Sequence, residues 1–304
     1  MKIVGTVDEL RDLLRPARRS ERTIGLVPTM GALHEGHLSL IRQAREQCEV
    51  VVMSLFVNPS QFDEPGDLQA YPRDHERDAE LAAAAGVDFL FAPAVEAIYP
   101  DGFATRVSVA GLTESLEGEQ RGTGHFDGVT TVVTKLFNIV QPDVAYLGQK
   151  DAQQAVVIRR LVRDLDLPAR IEVCPTVRDP DGVAMSSRNA LLSESDRRRA
   201  SALHRALRAA ATAIAAGQRD TGVVIAAARR ELQDVELDYF ELVNPDSLAP
   251  VGERIGEGEV LAVVAARVGA TRLIDNQPIH VPSTIDGNEA GSAKQEVLHC
   301  SARC

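Results

Sequence analysis

Val50-Val-Val-Met-Ser-Leu-Phe-Val57 is a continuous apolar run rich in valine. A strand with one wet face alternates polar and apolar residues, so this run suits a parallel strand covered on both faces. Parallel neighbours need a crossover, usually a helix. The preceding sequence supplies one. Residues 23–28 read as a short buried strand, followed by a glycine-containing turn and a helix over about 36–47. Leu38, Ile41, Ala44 and Cys48 recur there at spacings of three and four. The three segments form one βαβ unit, whose crossover is expected to be right-handed.

The alternation continues with helices expected near 73–85, 129–140 and 152–165, and strands at 87–91, 144–147 and 171–174. Repetition over about 175 residues predicts an α/β fold with a Rossmann-like, doubly wound parallel sheet. The pattern then changes. Ser193-Glu-Ser-Asp196 resembles a capping box and opens a long Ala/Arg-rich helix to about Ala216, ended by Gly217. A second helix over 221–232 and β-rich runs at 237–243, 260–266 and 271–275 predict a smaller α+β module. The expected division is 1–176, the Rossmann-like domain; 177–280, the smaller α+β domain; and 281–304, a flexible tail without periodicity.

The 33 basic and 44 acidic residues leave a net charge of −11. An acidic chain without a long basic run is poorly matched to nucleic acid or an anionic membrane, although a pocket can still be locally positive. No stretch approaches a membrane span, and the first ten residues lack the apolar core of a signal peptide. Cys48, Cys174, Cys300 and Cys304 show no metal-ligand spacing and read as free thiols of a cytoplasmic protein.

Pro28-Thr-Met30-Gly31-Ala32-Leu33-His34-Glu35-Gly36-His37 carries the most chemical information. It joins the end of the first expected strand to the following helix, where open α/β sheets bind ligands. A helix N-terminus offers unpaired N–H groups to phosphate. Histidines three apart share a helix face and can donate hydrogen bonds to charge developing during phosphoryl or nucleotidyl transfer. The spacing is not that of a zinc helix, no third ligand suggests itself, and the metal ligands stay unknown.

This segment resembles the His-x-Gly-His signature of the nucleotidyltransferase superfamily. Met185-Ser186-Ser187-Arg188 is similar to that superfamily's Lys-Met-Ser-Lys-Ser loop, with hydroxyls and a guanidinium to clamp pyrophosphate. With Asn58-Pro-Ser-Gln61-Phe62, Tyr71-Pro-Arg73, His125-Phe-Asp-Gly128 and Gly148-Gln149-Lys150-Asp151-Ala-Gln-Gln154, the set closely resembles the pantoate–β-alanine ligase (pantothenate synthetase) family from about Thr23 to Ile279. That resemblance implies an enzyme that uses ATP to join (R)-pantoate to β-alanine through pantoyl adenylate, with release of pyrophosphate and AMP. It also implies Mg²⁺ and a homodimer. Another adenylyltransferase of the superfamily is the alternative reading, and a nucleotide-sensing module that has lost catalysis is a further one.

The resemblance assigns His37, His34, Lys150 and Arg188 to catalysis. Met30 to His37, Gly148 to Asp151, Val177 and Met185 to Arg188 would hold the nucleotide, with Asp151 on the ribose and Val177 presenting backbone to adenine. Gln61, Gln154 and Asn58 would bind pantoate. Tyr71, Arg121 and His125 are further candidates, and Asp78 is a conceivable Mg²⁺ ligand. Two departures stand out. Gln149 replaces the family's usual glutamate, removing a negative charge near the phosphates. The stretch from Gly118 to His125 is one residue longer than usual.

Overall fold

The valine run forms β3 (Val50–Leu55), buried at every residue. In this computed structural model, which describes residues 1–62 and 65–283, β3 lies inside a six-stranded parallel sheet. Its companions are β1 (Lys2–Val4), β2 (Ile24–Thr29), β4 (Phe89–Phe91), β5 (Val144–Gly148) and β6 (Arg170–Cys174), in the order β1-β4-β3-β2-β5-β6. Successive strand residues face opposite cores. Leu26, Val50 and Val52 join the cluster under α1 (Val7–Arg19), α7 (Thr123–Val140) and α8 (Ala152–Asp164). Val27, Val51 and Met53 join the one under α2 (Glu35–Gln47) and α4 (His75–Ala85). Each such side chain favours folding by roughly 1.5–3 kcal/mol, so a run facing two cores tolerates little besides apolar residues.

The short helices α3 (Pro65–Ala70), α5 (Val95–Ile98) and α6 (Glu117–Arg121) occupy connections. Beyond β6, α9 (Glu194–Ala215) and α10 (Thr221–Arg229) pack on an antiparallel sheet of β7 (Glu236–Val243), β8 (Gly258–Val268) and β9 (Thr271–Val281). Ser193 caps α9 as its sequence suggests, accepting from the Asp196 N–H at 3.1 Å. A fourth apolar cluster joins the two sheets. Leu112, Leu116, Phe126, Val156 and Val157 meet Val243, Leu248, Leu261 and Val263 there.

Several boundaries differ from expectation. Helix α7 begins at Thr123 rather than Val129, although Gly124 and Gly128 are weak helix formers. Tertiary contact decides it: a Cβ on Gly128 would sit 2.3 Å from the Ser60 carbonyl oxygen, so the short helical turn Pro59–Gln61 needs a glycine there. The expected helix over 221–232 ends at Arg229 and finishes in a 3-10 turn. β8 and β9 pair over eleven residues each, longer than their apolar cores suggest, because the ladder carries polar positions at both ends. β9 therefore reaches Val281, one residue into the segment read as tail. Cys300, Cys304 and the rest of that segment from 284 lie outside the described residues. Cys48 and Cys174 are buried free thiols.

Candidate active site

The strand order reverses direction between β2 and β5, which makes their C-terminal ends the switch point where ligands bind in such sheets. The two strands pair only at Gly25 and Leu26, whereas β2 stays paired with β3 as far as Thr29. Pro28, which has no N–H for a ladder, lies beyond the last residue paired to β5. The splayed ends open into a cleft of about 730 Å³ between the two sheets.

His34 and His37 enter this cleft from the start of α2. His34 is the N-cap: its Nδ1 accepts the Gly36 N–H at 3.2 Å, and the His34 N–H is given to Nδ1 of His37 at 3.4 Å. The rings lie 4.1 Å apart. Since both Nδ1 atoms accept, the proton of each neutral ring sits on Nε2, which is left as a donor. Burial pushes His37 down to about 3, aided by neighbouring His34. Burial, then the charge of Lys150, lowers His34 as well. Gly36 is fixed by this arrangement, because a Cβ there would meet the His34 ring at 2.9 Å.

The loop ahead of them is held by Asp78 on α4. Asp78 is 2% exposed, and its carboxylate accepts the N–H groups of Ala32 and Leu33, both at 2.8 Å. Ala32 has φ +53°, a conformation unfavourable for a residue with a Cβ. Asp78 therefore secures a strained turn, and its oxygens are engaged by backbone rather than turned to solvent.

Lys150 and Asp151 follow β5 and line the same cleft, 3.4 Å apart. Burial would raise the Asp151 pKa, but Lys150, Arg188 and Arg121 outweigh it and hold the carboxylate below its usual range. Val177, Met185, Ser186, Ser187 and Arg188 line the cleft as well, with Met185 close to Gly36 and the charge of Arg188 acting on Asp151. Ser186 caps the short turn Ser187–Leu191. Tyr71 reaches this loop through a hydrogen bond to Ser187, with burial raising its phenol pKa. Lys150 and the two histidines thus line one cleft, close enough for the Lys150 charge to act on both rings.

Gln61, Asn58 and Gln154 also line the cleft. Asn58 is 1% exposed and fully engaged. It donates to Gln61 Oε1 at 2.9 Å and to the Gly128 carbonyl at 3.1 Å, and it accepts from Tyr99 and Ser60, each at 2.8 Å. It orients Gln61 while its own polar atoms are taken. His125 Nδ1 lies 2.8 Å from the Gln61 carbonyl and anchors the same turn.

The sequence model of the Pantoate-beta-alanine ligase family matches residues 2–278. A pantothenate synthetase from Moorella thermoacetica is 55% identical over 284 residues, covering 92% of this chain and 99% of that protein. The chain belongs to the pantoate–β-alanine ligase family. Another relative, pantothenate synthetase 1 of Bradyrhizobium diazoefficiens, is 53% identical over 277 residues, covering 91% of this chain and 97% of its own. The crystal structure of the Thermus thermophilus pantothenate synthetase superposes with a TM-score of 0.86 at 47% identity, over 91% of this chain and 99% of that one. A pantoate-β-alanine ligase from Francisella tularensis, solved with beta-gamma ATP and β-alanine, superposes at 0.73 and 35% identity, over 91% and 97%.

Not every residue expected for this pantoate–β-alanine ligase family chain reaches the cleft. Gly31, Ala32, Leu33, Glu35, Gly148 and Gln149 do not line it. Ala32 and Leu33 give their N–H groups to Asp78, and the Leu33 side chain is core. Glu35 turns outward to Arg42. Gln149 points its amide at Asn276 of β9, 2.9 Å away, so its missing charge is not one facing the cleft.

Other lining residues went unnoticed in sequence. Glu117, 7% exposed, takes two hydrogen bonds from Arg272 at 2.7 and 2.8 Å, one from Arg121 at 3.0 Å and one from Tyr239 at 2.8 Å. Burial alone would raise its pKa, but the hydrogen bonds and charge of Arg272, then Arg121, lower it to about 2. The lengthened loop thus closes with Arg121 paired inside its own short helix. Asp275 and Asn276, consecutive and buried in β9, carried a readable signal, since both residue types are depleted in strands.

Proposed function

We propose that this chain condenses (R)-pantoate with β-alanine in two steps, using ATP. In the first, a pantoate carboxylate oxygen attacks the α-phosphorus, the bond from that phosphorus to the α,β-bridging oxygen breaks, and the β- and γ-phosphates leave as pyrophosphate. In the second, the β-alanine amine attacks the acyl carbon of pantoyl adenylate, AMP leaves, and the amine gives up a proton. No covalent intermediate with the protein is needed, so its contribution is orientation and charge stabilisation.

The observation that carries this reading is the meeting of two neutral imidazoles with Lys150 at the β2/β5 switch point. Neutral rings protonated at Nε2 donate hydrogen bonds to phosphate oxygens without needing a proton from solvent. Lys150 supplies a compact charge where the α- and β-phosphates separate. Ser186, Ser187 and Arg188 close over the pyrophosphate, Met30 and Val177 flank the nucleoside, and Asp151, held ionised, accepts from a ribose hydroxyl. Gln61 and Gln154 offer neutral amides to pantoate without an ion pair that would blunt its nucleophilic carboxylate. Residues 177–280 act as the lid that keeps water from the labile adenylate.

Mg²⁺ fits as a cation carried by the nucleotide. Among the described residues no group of three His, Cys, Asp or Glu side chains is placed to hold a metal, and Mg²⁺ typically takes one or two carboxylates beside substrate phosphates. The nucleotide's own phosphates would hold the ion, which would neutralise their charge. Among the described residues no helix is long and apolar enough to cross a membrane. A cytoplasmic homodimer completes the reading, on family resemblance.

Pyrophosphate release tests it. With ATP and pantoate alone, release should stop near one equivalent per site; β-alanine should convert it to multiple turnover with AMP and pantothenate formed. Release that is indifferent to pantoate would overturn the proposal.

A further inference from the structure

The turn that carries Lys150 is held from the other sheet. Residues Gln149–Asp151 form a single 3-10 turn between β5 and α8. Asn276 of β9, 4% exposed, donates from Nδ2 to the carbonyl oxygens of Gln149 at 2.8 Å and of Lys150 at 2.9 Å. Its Oδ1 accepts from Nε2 of Gln149 at 2.9 Å. Both amide hydrogens are therefore used on the backbone of one turn, and the amide orientation is fixed by the Gln149 donor.

Asn276 is itself braced. Its N–H donates to the neighbouring Asp275 carboxylate at 2.8 Å, and that carboxylate takes two hydrogen bonds from Arg178, at 2.5 and 3.0 Å. Arg178 follows Val177, whose carbonyl accepts from the Met185 N–H at 3.0 Å. One short chain of polar contacts thus links the Lys150 turn, β9 and the base of the Met185–Arg188 loop.

We infer that Asn276 is a positioning residue that sets the Lys150 ammonium against the reacting phosphates by fixing the backbone of the 149–151 turn. The inference rests on the adenylation reading above. Lys150 has a long flexible stem, so its charge is placed only as well as its Cα is. The two carbonyls that Asn276 holds are those of Lys150 and the residue before it. Gln149 belongs to the same device: a glutamate would turn a carboxylate oxygen toward Asn276 Oδ1, whereas the glutamine donates to it.

The test is a double-mutant cycle on pantoate-dependent pyrophosphate release in a single turnover. Asn276→Ala should lower the rate roughly 100-fold, the scale of a displacement near 1 Å at a reacting group. The pantoate KM should stay within about 3-fold, because no interaction with pantoate is removed. In a Lys150→Ala background the same substitution should change the residual rate by less than about 3-fold, since the group it positions is gone. Equal losses in both backgrounds, a loss confined to KM, or no loss would each overturn the inference. Should the alanine variant fail to fold, Asn276→Asp carries the test. It keeps the shape and the acceptor for Gln149 but presents oxygen to the two carbonyls, and the same pattern is expected. A wild-type chain without pantoate-dependent release would sink the adenylation reading instead.

Discussion

Two polar constellations line one cleft, and they differ in what their polar atoms are doing. Around Glu117, each charge is answered from within: Arg272 bridges Glu117 and Asp238, with Arg121 and Tyr239 completing the set. Around His34 and His37, the backbone takes one nitrogen of each ring and leaves the other as a donor. The first cluster ties α6 to β7 and β9; the second keeps a donor on each ring, which the proposed function gives to phosphate. Charge in a cleft marks a binding site when its hydrogen bonds are incomplete, and a structural joint when they close on themselves.

Substitutions should separate the two. Lys150→Ala should cut single-turnover adenylate formation on the order of 10²–10³-fold, the scale for removing one preorganised stabilising group, with the thermal midpoint nearly unchanged. A wild-type rate would remove Lys150 from the chemistry and erase the contrast. Glu117→Ala should do the reverse. It leaves Arg272 with Asp238 alone and removes the acceptor for Arg121 and Tyr239, which should cost roughly 1.5–3 kcal/mol, read as a fall in denaturant midpoint. If the variant is as stable as wild type, the joint is not one.

Asp78→Asn lies between these cases. One carboxylate oxygen becomes a donor facing an N–H, which should cost about 1–3 kcal/mol and loosen the loop ahead of His34. Activity should fall together with stability; loss of neither would show that the Ala32 turn holds itself.

pH sharpens the comparison further. His37 binds its proton in the unfolded chain near 6.5 but in the fold only at about 3. Its contribution is therefore complete above pH 6.5 and is lost as pH falls toward 3. Glu117 is lowered from 4.5 to about 2, so its contribution is complete above 4.5 and lost between there and 2. Stability measured from pH 7 to 3 should begin to fall through the histidine well before the carboxylate titrates. His37→Gln should flatten the upper part of that curve and leave the lower part intact. The smallest effect belongs to the exposed Arg198–Glu194 pair: Arg198→Ala should shift stability by no more than about 0.5 kcal/mol.

Much of the fold was legible because its signals are local. The valine run, the His34–His37 helix start and the glycine-ended helices each state their structure within a dozen residues. β1 and α1 were not picked out; a three-residue strand carries almost no period, and α1 contains Pro16. The catalytic candidates were legible as motifs, but their supports were not. Asp78 looked like an ordinary helix-surface carboxylate, and Asn58 like a substrate ligand.

The sequence by itself determined the parallel sheet, the position of the His-x-Gly-His turn at a strand end and the family. Local periodicity and short motifs encode these without reference to distant residues. Only the tertiary structure decided that Asp78 holds the turn before His34, that Glu117 and Arg272 close a joint 155 residues apart in sequence, and that Asn276 reaches the Lys150 turn. Each is a hydrogen bond between elements whose nearness depends on how two sheets pack, and sequence spacing carries no record of that distance.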